Sequence, residues 1–415
     1  MSNLSELAVN GGTPAIQPRR RPRFHFGQEE KAAVDALFDA AAAKGSPPGY
    51  NGAEEEAFCK EFCAFMGGGY ADGVNSGTNS LFVALRALEL PPFSEVVVGC
   101  VTDPGGAMPV VLNNCIPVPA DTAPGSFMPG PEQIEERITE RTSAILIAHI
   151  GGDPADMPGI LKVAEKHGLP VVEDCAQAHA AKINGRNVGW FGAAGGFSLM
   201  FGKHICTGGQ GGAVFTKNEE LYWKMRRMAD RGKPFNLPGH TNCDISINCN
   251  LDEIHAAIGR AQLKKLPDIV ARRRQAVQYL WDNGIDALPG LSSPQRNLPT
   301  GFESCYWRLR LHLDLAAYKC SKMDYAMALT AEGLEVTPDY HAGMPFLMEW
   351  YAKRANSFPW NNPLYKGDPS QEYPCPNAEA AVNSDILLQV YESYTPDYLD
   401  MVLNAFRKVN AAFSR

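Results

Sequence analysis

No stretch of this chain is long, apolar and uninterrupted. No hydrophobic run approaches the roughly 20 residues a membrane-spanning helix needs, and the first residues show no signal-peptide pattern. A basic tract is missing as well. Lysine and arginine number 38 against 46 acidic residues, the net charge is −8, and the one cluster, Arg19-Arg20-Arg21-Pro22-Arg23, is short. A nucleic-acid partner is therefore not expected, and the cluster reads as a solvated arm or an interface contact. The eleven cysteines form no Cys-x-x-Cys pair, and Cys59 and Cys63 read as packed thiols on one helix. Their odd number and dispersed spacing point to a reducing cytoplasm and away from disulfides. Histidine and cysteine are too scattered for a zinc site. Internal repeats and low-complexity tracts are also lacking.

What is present is an ordinary globular composition, with 45% hydrophobic and 20% charged residues in 415. That length implies two domains. The expected division is an N-terminal arm at 1–28, a large domain at 29–262, and a linking helix with a smaller α/β domain at 263–415. The arm, rich in glycine and proline, reads as extended. Helices are expected over 28–43 and 54–66. From residue 70 short apolar strands alternate with helices: strands at 70–74, 95–98, 116–118, 144–148, 171–173, 196–199 and 213–215, and helices at 80–88, 131–138 and 157–166. Such alternation predicts a mostly parallel sheet covered on both faces. A long helix is expected over 251–282, then a strand at 306–312 and helices at 322–332 and 397–412. The aromatic- and proline-rich segment 338–377 reads as irregular, of the kind that forms substrate walls.

Ligands on parallel sheets bind at the carboxyl ends of the strands, and three polar groups sit there. Ser76-Gly77-Thr78 opens a helix, where free backbone amides suit a phosphate. Asp174 closes the run Val171-Val172-Glu173, where a carboxylate is costly without a partner. Ser198 and Lys203 lie in the glycine-dense stretch 195–212. An amine among apolar residues loses hydration, its pKa falls, and its neutral form attacks a carbonyl. His149, after an apolar strand, reads as a core hydrogen-bonding residue.

With these motifs the chain resembles the DegT–StrS family of sugar and cyclitol aminotransferases. The likeness runs from Gly11-Gly12-Thr13-Pro14 through Ser76-Gly77-Thr78, Glu173-Asp174-Cys175-Ala176-Gln177-Ala178-His179, Ser198 to Lys203 and Asn248 to Glu253. The resemblance implies pyridoxal-phosphate-dependent transferase fold type I, with a seven-stranded sheet. It implies pyridoxal 5′-phosphate carried by Lys203 as a Schiff base, with Asp174 pairing the pyridine nitrogen and Gln177 against the ring. It also implies Ser76, Gly77, Thr78 and Ser198 on the phosphate, and Asn248 reaching the site from the other subunit of a homodimer. By the same likeness the amino donor is L-glutamine or L-glutamate, and the acceptor a keto-cyclitol or keto-sugar of aminocyclitol, aminosugar or antibiotic synthesis. Asp103, His179, His341 and Trp360 are the candidates for the substrate side. Three positions depart from the family pattern: Asp103 replaces an aromatic, Asn250 an arginine, and Gln210 a glutamate. The alternatives are a nucleotide-sugar aminotransferase of cell-surface glycan synthesis, a deoxysugar dehydratase (relatives with that activity have histidine where this chain keeps Lys203, with His204 beside it), and a cofactor-binding sensor.

Overall fold

The computed structural model describes residues 4–18, 22–23 and 25–415. Seven strands form the main sheet: β1 Tyr70–Val74, β2 Glu95–Gly99, β3 Ile116–Ala120, β4 Thr142–Ala148, β5 Val171–Asp174, β6 Ala194–Ser198 and β7 Gly212–Thr216. Their order is β1-β7-β6-β5-β4-β2-β3. The pairs from β6 through β5, β4 and β2 to β3 are parallel; β7 alone runs antiparallel to both neighbours, β1 and β6. The α/β class and the mostly parallel sheet are thus as the sequence implied. β2, β3, β5, β6 and β7 are buried along their whole length, the pattern of a sheet with both faces covered.

Helices α1 Gln28–Lys44, α2 Ala53–Met66, α3 Gly77–Ala87, α4 Pro104–Leu112, α5 Pro131–Glu135, α6 Met157–His167 and α7 Glu219–Ala229 accompany the sheet. α4 was not expected. Its Pro-Gly-Gly start reads as a turn, yet Asp103 caps it by accepting from Gly105 N at 2.9 Å, and Pro104 occupies the first position, where its fixed φ is already helical. α5 stops at Glu135, short of the expected 138.

The 30-residue α8, Glu253–Asp282, joins two hydrophobic cores. Leu263, Leu266, Ile269 and Val270 pack with Phe58, Phe62 and Phe197 of the sheet side. Ala276, Val277, Leu280 and Trp281 pack with a second sheet, made of β8 Leu291–Ser292, β9 Leu309–Leu313, β10 Val336–Thr337 and β11 Asp385–Leu388 in the order β8-β9-β11-β10. The helices at Lys322–Ala331 and Pro396–Phe413 close that core.

Two segments differ from their sequence reading. The N-terminal arm is not merely extended: Leu4–Glu6 and Ala8–Asn10 are 3₁₀ turns, Leu7 and Ile16 are fully buried in the second core, and Glu332 accepts from Ala8 N and Ala15 N. In the arginine cluster, residues 19–21 lie outside the described residues. Arg23 is no solvated residue; it pairs with Glu392 at 2.8 Å and donates to the carbonyls of Lys203 (3.0 Å) and His204 (3.1 Å). The segment 338–377 crosses back to the main sheet. Tyr351, Trp360 and Tyr365 pack on Ile116 of the edge strand β3, and Tyr365 Oη donates to Glu95 Oε1 at 3.1 Å. No helix among the described residues is long and apolar enough to cross a membrane.

Candidate active site

A cavity of about 170 Å³ opens at the carboxyl ends of the strands and is lined by Ser76, Gly77, Thr78, Asp103, Asp174, Gln177, Ser198, Lys203 and Gln210 among others. The three polar groups singled out at strand ends therefore meet in one place. At one end, α3 begins at Gly77 rather than at the expected residue 80. Ser76 is its cap, accepting from Asn79 N at 3.1 Å, so the first amides of the helix have no helical carbonyl to pair with. Residue 77 has to be glycine, because a Cβ there would lie 2.6 Å from Ser198 Cβ.

Across the cavity stand an acid and an amine. Asp174 Oδ1 accepts from Ala176 N at 2.9 Å, while Oδ2 has no hydrogen-bond partner among the described residues. Oδ2 lies against Gly106, where a Cβ would come within 3.0 Å of it; α4 thereby supplies a close backbone approach instead of a side chain. Burial pushes the Asp174 carboxyl up; the Ala176 amide and the charge of Lys203 oppose this, and Asp103 adds to it. Lys203 is 8% exposed. Burial drives its pKa down to about 8, against the pull of Asp174 and Asp103 and with the help of Arg308. Its Nζ makes no ion pair or hydrogen bond among the described residues and sits 4.2 Å from the centre of the Trp307 ring. An amine and a carboxylate oxygen carried by two buried residues, neither with a partner among the described residues, thus face one polar-lined space. That arrangement is costly unless something polar fills it.

Gln177 is held on both sides, its Oε1 accepting from Gly151 N at 2.8 Å and its Nε2 donating to Tyr340 Oη at 3.1 Å. Asp103 lines the cavity as well as capping α4. His149 satisfies buried neighbours, as its position after an apolar strand suggested: Nδ1 accepts from Ala155 N at 3.0 Å, so Nε2 carries the proton and donates to Glu173 at 3.1 Å.

Four proposed residues lie elsewhere. His179 is buried behind the site, 5.9 Å from Phe197 and 5.6 Å from His204 between ring centres, and burial lowers its pKa to about 3. His341 is half-buried and bonded to Asp339; its predecessor Tyr340 is the one that reaches Gln177 at the cavity's edge. Trp360 packs at the sheet edge. Asn248 is on an exposed segment, with Oδ1 accepting from Asn250 N at 3.1 Å and Nδ2 at 2.7 Å. His204, neighbour of the lysine, turns away to the Cys305 carbonyl at 3.1 Å. Sequence reasoning missed Trp307, Arg308, Tyr340 and Gly105-Gly106. Only the last pair carried a signal, in the Asp-Pro cap before them.

A model of the DegT/DnrJ/EryC1/StrS aminotransferase family matches residues 32–407. Among curated relatives, L-glutamine:scyllo-inosose aminotransferase of Streptomyces griseus is 30% identical, over 98% of this chain and 97% of its own. The dTDP-3-amino-3,4,6-trideoxy-alpha-D-glucose transaminase of Streptomyces venezuelae is 37% identical, over 66% of this chain and 72% of its own. Among solved structures, an aminotransferase from Psychrobacter cryohalolentis superposes with a TM-score of 0.82 at 28% identity, covering 93% of this chain and 97% of that one.

Proposed function

This chain belongs to the DegT/DnrJ/EryC1/StrS aminotransferase family, and on that premise we propose that it carries the amino group of L-glutamine or L-glutamate to a keto-cyclitol, with pyridoxal phosphate as cofactor. The observation that carries the reading is the pair of unpartnered groups, Lys203 Nζ and Asp174 Oδ2, facing one cavity. The residues present fit the cofactor. Lys203 would hold it covalently, Asp174 Oδ2 would keep its ring nitrogen protonated, and the start of α3 with Ser198 would hold its phosphate. When bound, the cofactor supplies an electron sink for the bond broken at the substrate carbon.

The protein's own part is positioning and proton transfer. With a pKa near 8, the Lys203 amine can both accept and return a proton close to neutral pH, the condition for general acid–base work at the donor's α-carbon. Arg23 fixes the backbone of that lysine from the N-terminal arm through the Lys203 and His204 carbonyls. The Trp307 ring lies against the amine, 4.2 Å from its centre to Nζ. Gln177, clamped by Gly151 and Tyr340, offers a flat amide beside the cavity.

Asn248 would reach the phosphate of the partner subunit's site in a homodimer. Its exposure supports this, as does that of Ile245 (84%) and Ile247 (51%) on the same segment, which a partner would cover. The dispersed cysteines support a cytoplasmic setting. The keto-cyclitol acceptor is favoured by the likeness to the S. griseus enzyme, which spans nearly the whole chain. A nucleotide-linked keto-sugar is the second reading, favoured by the higher identity to the S. venezuelae transaminase over a shorter stretch. The test is a mass-spectrometric search for aminated product with scyllo-inosose and with dTDP- and UDP-linked keto-sugars. Amination of scyllo-inosose alone is expected. Amination of only a nucleotide-linked sugar replaces the first reading by the second, and no aminated product with any acceptor overturns both.

A further inference from the structure

Among the described residues, two buried clusters of metal-ligating side chains lie outside the Lys203 cavity. In the first, His149, Glu173 and Cys175, the donor atoms are already spent. His149 uses both ring nitrogens, on Ala155 N and Glu173, and Glu173 also accepts from Gly189 N at 2.8 Å and Gly192 N at 2.6 Å. The second is made of Cys100, Asp121 and Cys375, with one donor atom from each lying within 4.8 Å of the others. No spacing in the sequence announces this set, because the three residues are far apart in the chain.

The main sheet places the first two. Cys100 follows β2 and Asp121 follows β3, at the carboxyl ends of neighbouring parallel strands, where Gly99 pairs with Ala120 and Cys100 N donates to the Ala120 carbonyl at 2.9 Å. Cys375 arrives with the segment 338–377, directly before the helix Pro376–Ser384. Asp121 fixes that arrival: Oδ2 accepts from Asn377 N at 3.0 Å and Oδ1 from Ala378 N at 2.9 Å, with Thr122 N also on Oδ1 at 2.8 Å. These partners are all backbone amides, and Oδ2, with only one of them, keeps a lone pair. Cys375 Sγ donates to the Tyr373 carbonyl at 3.4 Å. The three residues are 1%, 7% and 7% exposed in chain order. A carboxylate held in the interior without a cation is costly. Two sulfurs beside it make a donor set suited to zinc rather than to magnesium or calcium.

We infer that Cys100, Asp121 and Cys375 form a structural zinc site. The inference does not depend on the aminotransferase reading. Zinc would bond to both sulfurs and to Asp121 Oδ2, the two thiol protons leaving to solvent, and the Tyr373 carbonyl beside Cys375 Sγ would complete the four. Bonds of about 2.3 Å to sulfur and about 2.1 Å to oxygen put tetrahedral neighbours roughly 3.6–3.8 Å apart, and the fold already gathers the donors near that spacing. The site ties the segment 338–377 to the carboxyl edge of the sheet. That tie lies close to the chemistry, since Thr102 N donates to the Gly343 carbonyl at 2.7 Å and Asp103 lines the Lys203 cavity.

The experiment takes the reduced full chain, strips it with a chelator and reloads it with Zn²⁺ or Co²⁺. The proteins are wild type, Cys375→Ser, Asp121→Asn and Cys243→Ser, the last an exposed thiol outside the cluster. Wild type and Cys243→Ser are expected to take one zinc per chain and to show sulfur-to-cobalt charge-transfer absorption with Co²⁺. Zinc should shield two of the eleven thiols of wild type from a thiol reagent and raise the unfolding temperature. Cys375→Ser should weaken zinc roughly 100-fold and lose about half of the charge-transfer intensity. Asp121→Asn should keep the sulfur bands at lower affinity. Because Asp121 also caps a helix, the decision falls on wild type. No zinc uptake, a cobalt adduct without sulfur bands, or bound zinc with all eleven thiols still reactive, the mark of a surface ion, overturns the inference. Undiminished zinc affinity in Cys375→Ser does the same.

Discussion

The floor of the Lys203 cavity and the wall of residues beside it, outside its own lining, are built in different ways. Ser76-Gly77-Thr78, Asp174, Ser198 and Lys203 all follow strands of one sheet, each a few residues from the apolar run that buries its strand. Trp307, Arg308 and Tyr340 come from the second sheet and the segment after it, beyond residue 300, and arrive through tertiary packing. The floor is a property of local sequence on a parallel sheet. The wall is a property of how two cores are joined by α8. On the proposed function, the chemistry resides in the first and the choice of substrate in the second.

The sharpest break in that comparison is Lys203→Ala. Aminotransfer should fall by roughly 10⁴-fold, measured as donor-dependent 2-oxo acid formation, while the wall stays intact. Asp174→Asn should cost about 10²- to 10³-fold in the rate of the donor half-reaction by stopped-flow absorbance, because the amide cannot stabilise a positive ring nitrogen. Gly77→Ala drives a Cβ to 2.6 Å from Ser198. It should destabilise the protein by about 1–3 kcal/mol in urea unfolding and weaken cofactor retention on dialysis.

A pH series tests the floor without mutation. Since burial lowers the Lys203 pKa to about 8, the free amine fraction grows about tenfold per pH unit below 8 and then levels off. Uptake of pyridoxal phosphate by the apo-protein should follow that curve. A rate still climbing beyond pH 9 would mean an ordinary, solvated lysine. The smallest effects separate two neighbours in the wall. Tyr340→Phe removes the oxygen that accepts from Gln177 and should raise a substrate KM by about fivefold, the worth of one hydrogen bond near 1 kcal/mol. His341→Ala, at a half-buried residue bonded to Asp339, should leave both KM and kcat within about twofold of wild type.

The same contrast marks what was legible in the sequence. The seven strands and most of the helices follow from apolar runs and their punctuation, and the three polar groups at strand ends converge because parallel strands share one carboxyl edge. α4 was hidden by Pro104-Gly105-Gly106, whose composition argues for a turn; only the cap and the buried Ala107 and Val110 make it a helix. The arm looked extended because its periodicity is that of two short 3₁₀ turns anchored by Glu332, some 320 residues away in the chain. Arg23 looked solvated because its partners are Glu392, 369 residues away in the chain, and two backbone carbonyls, which no local pattern announces. His341 drew notice as a titratable residue in an irregular segment, although the backbone there aims Tyr340 at Gln177 and leaves the histidine paired with Asp339.

The measurement that bears most directly on the central claim is the absorption spectrum of the protein loaded with pyridoxal phosphate, recorded before and after L-glutamine or L-glutamate and again after scyllo-inosose. Loss of the visible band with one donor and its return with the acceptor are the expected result, with Lys203→Ala showing neither. A band that no donor changes, or an Lys203→Ala protein with the wild-type spectrum, would contradict the account.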